Sequence, residues 1–159
     1  MTNILGIDPG THRVGWAVVS GTIQHPTLVD SGCLDLPPKS DSASYLPQIS
    51  ALVTSLIQRH NPQVAGLEKL FAQHNQKTVI SVSQARGVIL LALVKNGVSL
   101  CEYSPNTIKA TVAGSGSASK AEVRRMVGLL LKLDTQHLLD DETDAISVAL
   151  TTQILCKPI

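Results

Sequence analysis

An apolar strand that ends in a carboxylate, and is stopped at once by proline and glycine, constrains this chain more than any other stretch. Ile4-Leu5-Gly6-Ile7 runs into Asp8, and Pro9-Gly10 keeps the strand from continuing. Val14-Gly15-Trp16-Ala17-Val18-Val19 resumes a β-rich pattern, so the two segments read as a hairpin. In α/β domains ligand sites gather at the carboxyl ends of strands, which is where Asp8 falls. Alone, Asp8 reads equally well as the opening of a polar turn. The test is whether other acids reach the same place.

Farther along, Thr27 to Leu34 is a third strand, and Tyr45 to His60 a helix with Ile49, Leu52, Val53, Leu56 and Ile57 on one face. Val64-Ala65-Gly66-Leu67-Glu68 is a short buried strand that, like the first, ends in an acid. Asn75 to Asn96 is the longest helix. Val79, Val82, Ala85, Ile89 and Ala92 form one stripe, and Ile80, Val88, Leu91 and Leu93 add apolar surface elsewhere. A helix apolar on more than one side needs more than one neighbour. It is either fully buried or partly a subunit interface, and Val82 and Ile89 are the residues expected at that interface. Gly97 caps this helix before a fifth strand, Val98 to Tyr103. Ser104-Pro105 starts a short helix through Lys109, and Ser119 with Glu122 forms a capping box for a helix to about Leu133. Asp140 is expected to cap the last helix, which carries Ala145, Val148 and Ala149 on one face.

The order of strands and helices predicts an α/β fold in one domain spanning residues 1–159. An apolar share of 43% excludes a disordered chain, and the longest apolar run, Val88 to Val94, is too short to cross a bilayer. Met1-Thr2-Asn3 offers no basic region before a hydrophobic one, so no secretory signal is expected. Cys33, Cys101 and Cys156 are widely spaced with no CxxC pair, and read as reduced core thiols of a cytosolic protein. Net charge is +1, yet residues 61–132 hold nine basic and three acidic side chains, whereas residues 133–159 hold one and five. A basic middle suits a polyanion, and an acidic end suits bound cations or a solvated tail.

Asp141 and Asp144 are three apart at the start of the final helix, so they share a face near the positive helix end. Acids in a first helical turn commonly just balance the dipole. Asp8 and Glu68, each ending an apolar strand, shift that reading. Four converging carboxylates repel one another and hold their protons more tightly, a conflict that two divalent cations remove. Paired cations activate water and stabilise the leaving oxygen of a phosphodiester. All-oxygen donors select Mg²⁺, with Mn²⁺ as a substitute, and the basic middle adds a nucleic-acid substrate.

Five motifs in order make the reading specific: Gly6-Ile7-Asp8-Pro9-Gly10 with Gly15-Trp16; Glu68-Lys69-Leu70-Phe71; Gln84-Ala85-Arg86-Gly87; Gly114-x-Gly116 before Lys120; and Asp141-x-x-Asp144-Ala145. From residue 4 to about 152 the chain resembles RuvC-family Holliday-junction resolvases. That resemblance implies a ribonuclease-H-like fold, a five-stranded mixed sheet flanked by helices. It also implies a homodimer that nicks four-way DNA junctions in symmetric pairs, with RuvA/RuvB-type branch-migration partners. By resemblance Asp8, Glu68, Asp141 and Asp144 are the metal-binding catalytic acids. Phe71, Lys77, Arg86, Lys109 and Lys120 are the expected DNA contacts, with Arg124 and Arg125 as further phosphate candidates or a solvated helix face.

Departures exist. Glu142 and Thr143 replace the small residues usual between the last two acids, and Asp140 beside Asp141 leaves that ligand ambiguous by one position, with the spacing favouring Asp141. Rival readings are a YqgF-like nuclease acting on RNA, an actin-like phosphate-binding domain, or an inactive junction-binding protein. Glu68 followed by Phe71 argues against the first, and a length of 159 residues leaves no room for the second domain that the actin-like fold needs.

Overall fold

The proline-glycine stop works as the sequence suggests. β1 (Ile4–Pro9) turns with the Gly10 N–H donating to the Arg13 carbonyl at 3.0 Å, and returns antiparallel as β2 (Arg13–Gly21). The computed structural model describes residues 2–10, 12–36, 42–70 and 76–156. β3 (Pro26–Asp35) extends the meander, α1 (Ser42–His60) crosses over, and β4 (Val64–Glu68) lies parallel to β1. α2 (Gln76–Lys95) leads to β5 (Ser99–Tyr103), parallel to β4. α3 (Pro105–Ala113), α4 (Lys120–Leu131) and α5 (Asp140–Leu155) complete the described chain. The strand order is β3-β2-β1-β4-β5, the expected five-stranded mixed sheet.

Helix ends obey their local chemistry. The Ser104 hydroxyl accepts the Thr107 N–H at 3.1 Å, and Ser119 and Glu122 form the reciprocal capping box. α3 runs four residues past the expected Lys109 and stops at Gly114, whose φ of 79° a side chain would resist. Asp140 is not the cap of α5. Leu139 holds that position, and Asp140 is the first helical residue. A side chain from farther in does the work: Glu142 Oε2 accepts the Leu139 N–H at 3.4 Å, and Glu142 Oε1 accepts from Ser31 of β3 at 2.6 Å. The residue that departs from the small type therefore pins the start of α5 to the sheet.

Both sheet faces are covered. Leu5, Ile7, Ala65 and Leu67 pack with Ile49 and Val53 of α1 and with Ala85, Ile89 and Leu93 of α2. On the other face Ala17 and Val19 pack with Val112, Val123 and Val127 and with Ala145, Ile146 and Ala149 of α5.

Two expectations are corrected here. Ile89 is fully buried and Val82 is 8% exposed within the chain's own fold, so neither forms a face toward a second copy. α2 is inclined so that Ile80, Leu91 and Val94 are its outward apolar residues, at 58%, 60% and 69% exposure. The cysteines also differ from expectation. Cys101 of β5 and Cys156, just after α5, form a disulfide across 55 residues, and Cys33 is the free thiol. Local spacing cannot report a pair made by an edge strand and a helix end that meet only in the fold.

Candidate active site

Strand alternation decides where the first two acids point. Leu5 and Ile7 face α1 and α2, so Gly6 and Asp8 face α5. In β4, Ala65 and Leu67 face α1 and α2, which turns Gly66 and Glu68 toward α5. Ile7 pairs with Leu67, so Asp8 and Glu68 come next at one level on adjacent strands, about 5 Å apart in the sheet.

α5 can lie close over these strands because the sheet offers it glycine. A Cβ on Gly6 would stand 2.2 Å from the Ala145 carbonyl oxygen, and one on Gly15 would stand 2.0 Å from that of Asp141. Asp141, Asp144, Ala145, Val148, Ala149 and Thr152 keep helical spacing along the face that meets the sheet. The first turn of α5 therefore rests above the end of β1, with Asp141 and Asp144 next to Asp8. Thr143, between them, is buried and donates its hydroxyl to the Leu139 carbonyl at 3.0 Å.

Electrostatics register the crowding. Burial, followed by the nearby charges of Asp144, Glu68 and Asp141, pushes the Asp8 carboxyl up from 3.8 to about 8. Glu68 is raised by burial and then by Asp144, against the pull of Lys109 and Lys120. Asp144 is raised mainly by burial, opposed by Lys120. The four acids form one coupled anionic group.

Basic residues divide into two sets. Lys120 Nζ lies 3.5 Å from Asp144 Oδ2 and 3.9 Å from Asp140 Oδ2, and its side chain stays 70% exposed, able to reach a ligand. Lys109, Lys120, Glu68 and Asp144 line one cavity of about 330 Å³, which Ile108 and Val123 close with apolar walls. The expected DNA contacts Lys109 and Lys120 are thus beside the acids. Phe71 lies outside the described residues. Lys77 falls in the first turn of α2, with its side chain outside what is described.

Arg86, an expected DNA contact, is engaged within the chain. Its side chain is 12% exposed, pairs with Glu102 and donates from Nη1 to the Glu68 carbonyl at 2.7 Å. Arg124 is likewise engaged. It donates to the Thr135 and Leu138 carbonyls at 2.9 and 2.8 Å and to Asp140 Oδ1 at 2.6 Å, tying the segment before α5 to α4. Asp140, held by Arg124, is absent from the groups that perturb Asp8, whereas Asp141 is among them. Arg13 is a residue that sequence reasoning missed. Its Nε donates to Asp35 Oδ1 at 2.6 Å and its Nη1 to Asp141 Oδ2 at 3.4 Å. Its place directly after the β1–β2 turn was the available signal.

The donor set fits hard divalent cations. It is all carboxylate oxygen, and its four acids outnumber the two lysines beside them, Lys109 and Lys120. Among the described residues no three carboxylates are already closed into a cage around one point.

The family model "Crossover junction endodeoxyribonuclease RuvC" matches residues 4–152. A protein of that description from Moorella thermoacetica is 42% identical over 92% of this chain and 87% of its own length, and one from Azorhizobium caulinodans is 36% identical over 95% and 89%. Thermus thermophilus RuvC, solved in complex with a Holliday junction substrate, superposes with a TM-score of 0.89 at 28% identity, covering 95% of this chain and 92% of that one. The yeast mitochondrial resolvase Ydc2, at 16% identity and a TM-score of 0.72, shares the fold.

Proposed function

Because this chain belongs to the RuvC family of crossover junction endodeoxyribonucleases, we propose that it resolves four-way DNA junctions by paired, symmetric, Mg²⁺-dependent phosphodiester hydrolysis. What supports this reading is the placement of Asp8 and Glu68 at the ends of adjacent strands, with the first turn of α5, carrying Asp141 and Asp144, packed over them.

Asp8 and Glu68 sit on rigid strand ends and Asp141 and Asp144 on a helix pinned by glycine contacts, so the four carboxylates could hold two ions with little reorganisation. Such ions, when bound, lower the pKa of a coordinated water and balance the charge of the leaving oxygen. Lys120 is placed to take a phosphate oxygen, at the N-terminal turn of α4, where the helix end also favours an anion. Lys109 brings a second positive charge to the cavity beside Glu68.

A four-way junction presents two equivalent strands, which a two-fold dimer matches. Ile80, Leu91 and Val94 on the outer side of α2, with open space around Gly87, supply an apolar stripe for a second copy. The RuvA/RuvB-type partners belong to the same reading. A bacterial cytoplasm, where chromosomal junctions arise, belongs to it as well. Among the described residues no helix is long and apolar enough to cross a membrane.

The experiment is incubation of the purified protein with synthetic four-way junctions and matched linear duplexes, with and without Mg²⁺. Symmetric nicking of junctions alone, only with Mg²⁺, is the expected result. Junction binding without nicking would leave an inactive binding protein, and cleavage of RNA in preference would favour the YqgF-like alternative.

A further inference from the structure

Glu68 is the last residue of β4, and its main chain is held from two directions. The next residue, Lys69, donates its N–H to the Tyr103 carbonyl of β5 at 2.7 Å. The Glu68 carbonyl itself accepts from Arg86 Nη1 at 2.7 Å, a bond delivered by α2 from the side of the sheet opposite α5. The second terminal nitrogen of the same guanidinium is paired with Glu102 of β5. With 12% of its side chain exposed, Arg86 meets little water, and burial lowers its pKa. A planar fork divided between a carboxylate and a carbonyl is fixed in orientation as well as in charge.

We infer that Arg86 is a positioning residue for Glu68. Through the Glu68 carbonyl and Glu102, it locks the end of β4 so that the Glu68 carboxylate keeps its place in the acidic group. The inference rests on Glu68 being a cation ligand, the reading proposed above. The arrangement suits that task because Glu68 is where the chain leaves the sheet, and Lys69 and Leu70 beyond it are already exposed. A strand end carrying a reactive group needs a restraint independent of exposed residues such as these. Misplacement of a catalytic ligand by about 1 Å lowers a rate by as much as 10²-fold.

Three measurements on Arg86→Met, Arg86→Lys and Glu102→Gln test this. They are the single-turnover nicking rate of a four-way junction across a Mg²⁺ series, junction affinity in Ca²⁺ by fluorescence anisotropy, and Mn²⁺ binding to DNA-free protein by calorimetry. Arg86→Met is expected to slow nicking about 30- to 100-fold. It should also weaken Mn²⁺ binding several-fold and leave junction affinity within about two-fold, with Arg86→Lys recovering part of both losses. Glu102→Gln changes a half-exposed edge-strand residue, so it keeps the test open if Arg86→Met does not fold. It should give a smaller loss of the same kind. Junction affinity that falls together with its salt dependence, at an unchanged saturated rate, would make Arg86 a phosphate contact and overturn the inference. Wild-type rates and Mn²⁺ binding in Glu102→Gln would overturn it too. Glu68→Gln serves as the control. If it nicks like wild type, the assignment of Glu68 fails; if it is dead while the Arg86 and Glu102 variants behave as wild type, only the positioning role fails.

Discussion

Replacing Asp8 with asparagine should make the cation-free protein more stable while abolishing nicking. Burial and three neighbouring carboxylates push the Asp8 carboxyl from 3.8 to about 8. Between those values the folded chain carries a proton at Asp8 that the unfolded chain has released. Stability therefore falls as pH rises through this window and levels off above it. At about 1.4 kcal/mol per pH unit, the full separation sets a ceiling of roughly 6 kcal/mol above pH 8. Asp8 keeps some solvent contact and its neighbours respond to its charge, so about 2–3 kcal/mol is the expected size. Glu68 and Asp144 are raised as well and add to the slope in the same direction.

Asparagine keeps the shape and removes the charge. In EDTA, Asp8→Asn should therefore melt roughly 5–10 °C above wild type at pH 9, using about 2–4 °C per kcal/mol for a chain of this size. The gain should shrink as pH falls toward 5. With Mg²⁺ or Mn²⁺ added, the order should reverse: wild type gains stability by binding the ion, and the variant, short of one ligand, gains less. Scanning calorimetry at five pH values, with and without Mn²⁺, reads all of this. Identical melting curves for the two proteins at pH 9 in EDTA would refute the reasoning, because they would mean that Asp8 sits in no crowded anionic group.

Single contacts yield three further outcomes. Lys120→Ala should slow nicking and lower the salt slope of junction binding by about 0.9, the value for one phosphate contact; an unchanged slope would remove that contact. Leu91→Glu, on the outer side of α2, should give a folded monomer by light scattering, whereas Ile89→Glu should unfold the chain, because it places a charge where no surface is exposed. A dimer that survives Leu91→Glu would move the interface elsewhere. Gly15→Ala would set a methyl 2.0 Å from the Asp141 carbonyl oxygen, and should destabilise by about 1–3 kcal/mol and slow nicking by displacing the start of α5; wild-type melting and nicking would show that α5 does not rest on that glycine.

The four acids were legible because each carries a local mark. Asp8 and Glu68 end apolar strands, and Asp141 and Asp144 share a helical face next to Ala145. The two strands even carry the same sign of what covers them, a glycine two residues before each acid. Period-two alternation makes Gly6 and Asp8, or Gly66 and Glu68, partners on one face. What brings α5 down onto the glycine therefore also sets Asp141 and Asp144 over the acid. That link between packing and chemistry is present in the sequence, but it becomes readable only once it is known which helix lies on which face.

The arginines and the apolar stripes of α2 were less legible for a related reason. A basic residue in a basic stretch has the same local signature whether it meets phosphate or a carbonyl of its own chain. Arg86 and Arg124 are taken by Glu102, Asp140 and main-chain oxygens, partners 11 to 18 residues away in sequence. Lys120, by contrast, keeps most of its side chain in solvent. α2 offers one apolar row through Val82 and Ile89 and another through Ile80, Leu91 and Val94, and spacing cannot rank them. The sheet ranks them: Leu5, Ile7 and Leu67 need the first row to close their core, and the second is left facing outward. The same docking of α2 against the sheet carries Arg86 to the end of β4. The helix that turns an apolar row outward is thus also the one that bonds the main chain of Glu68.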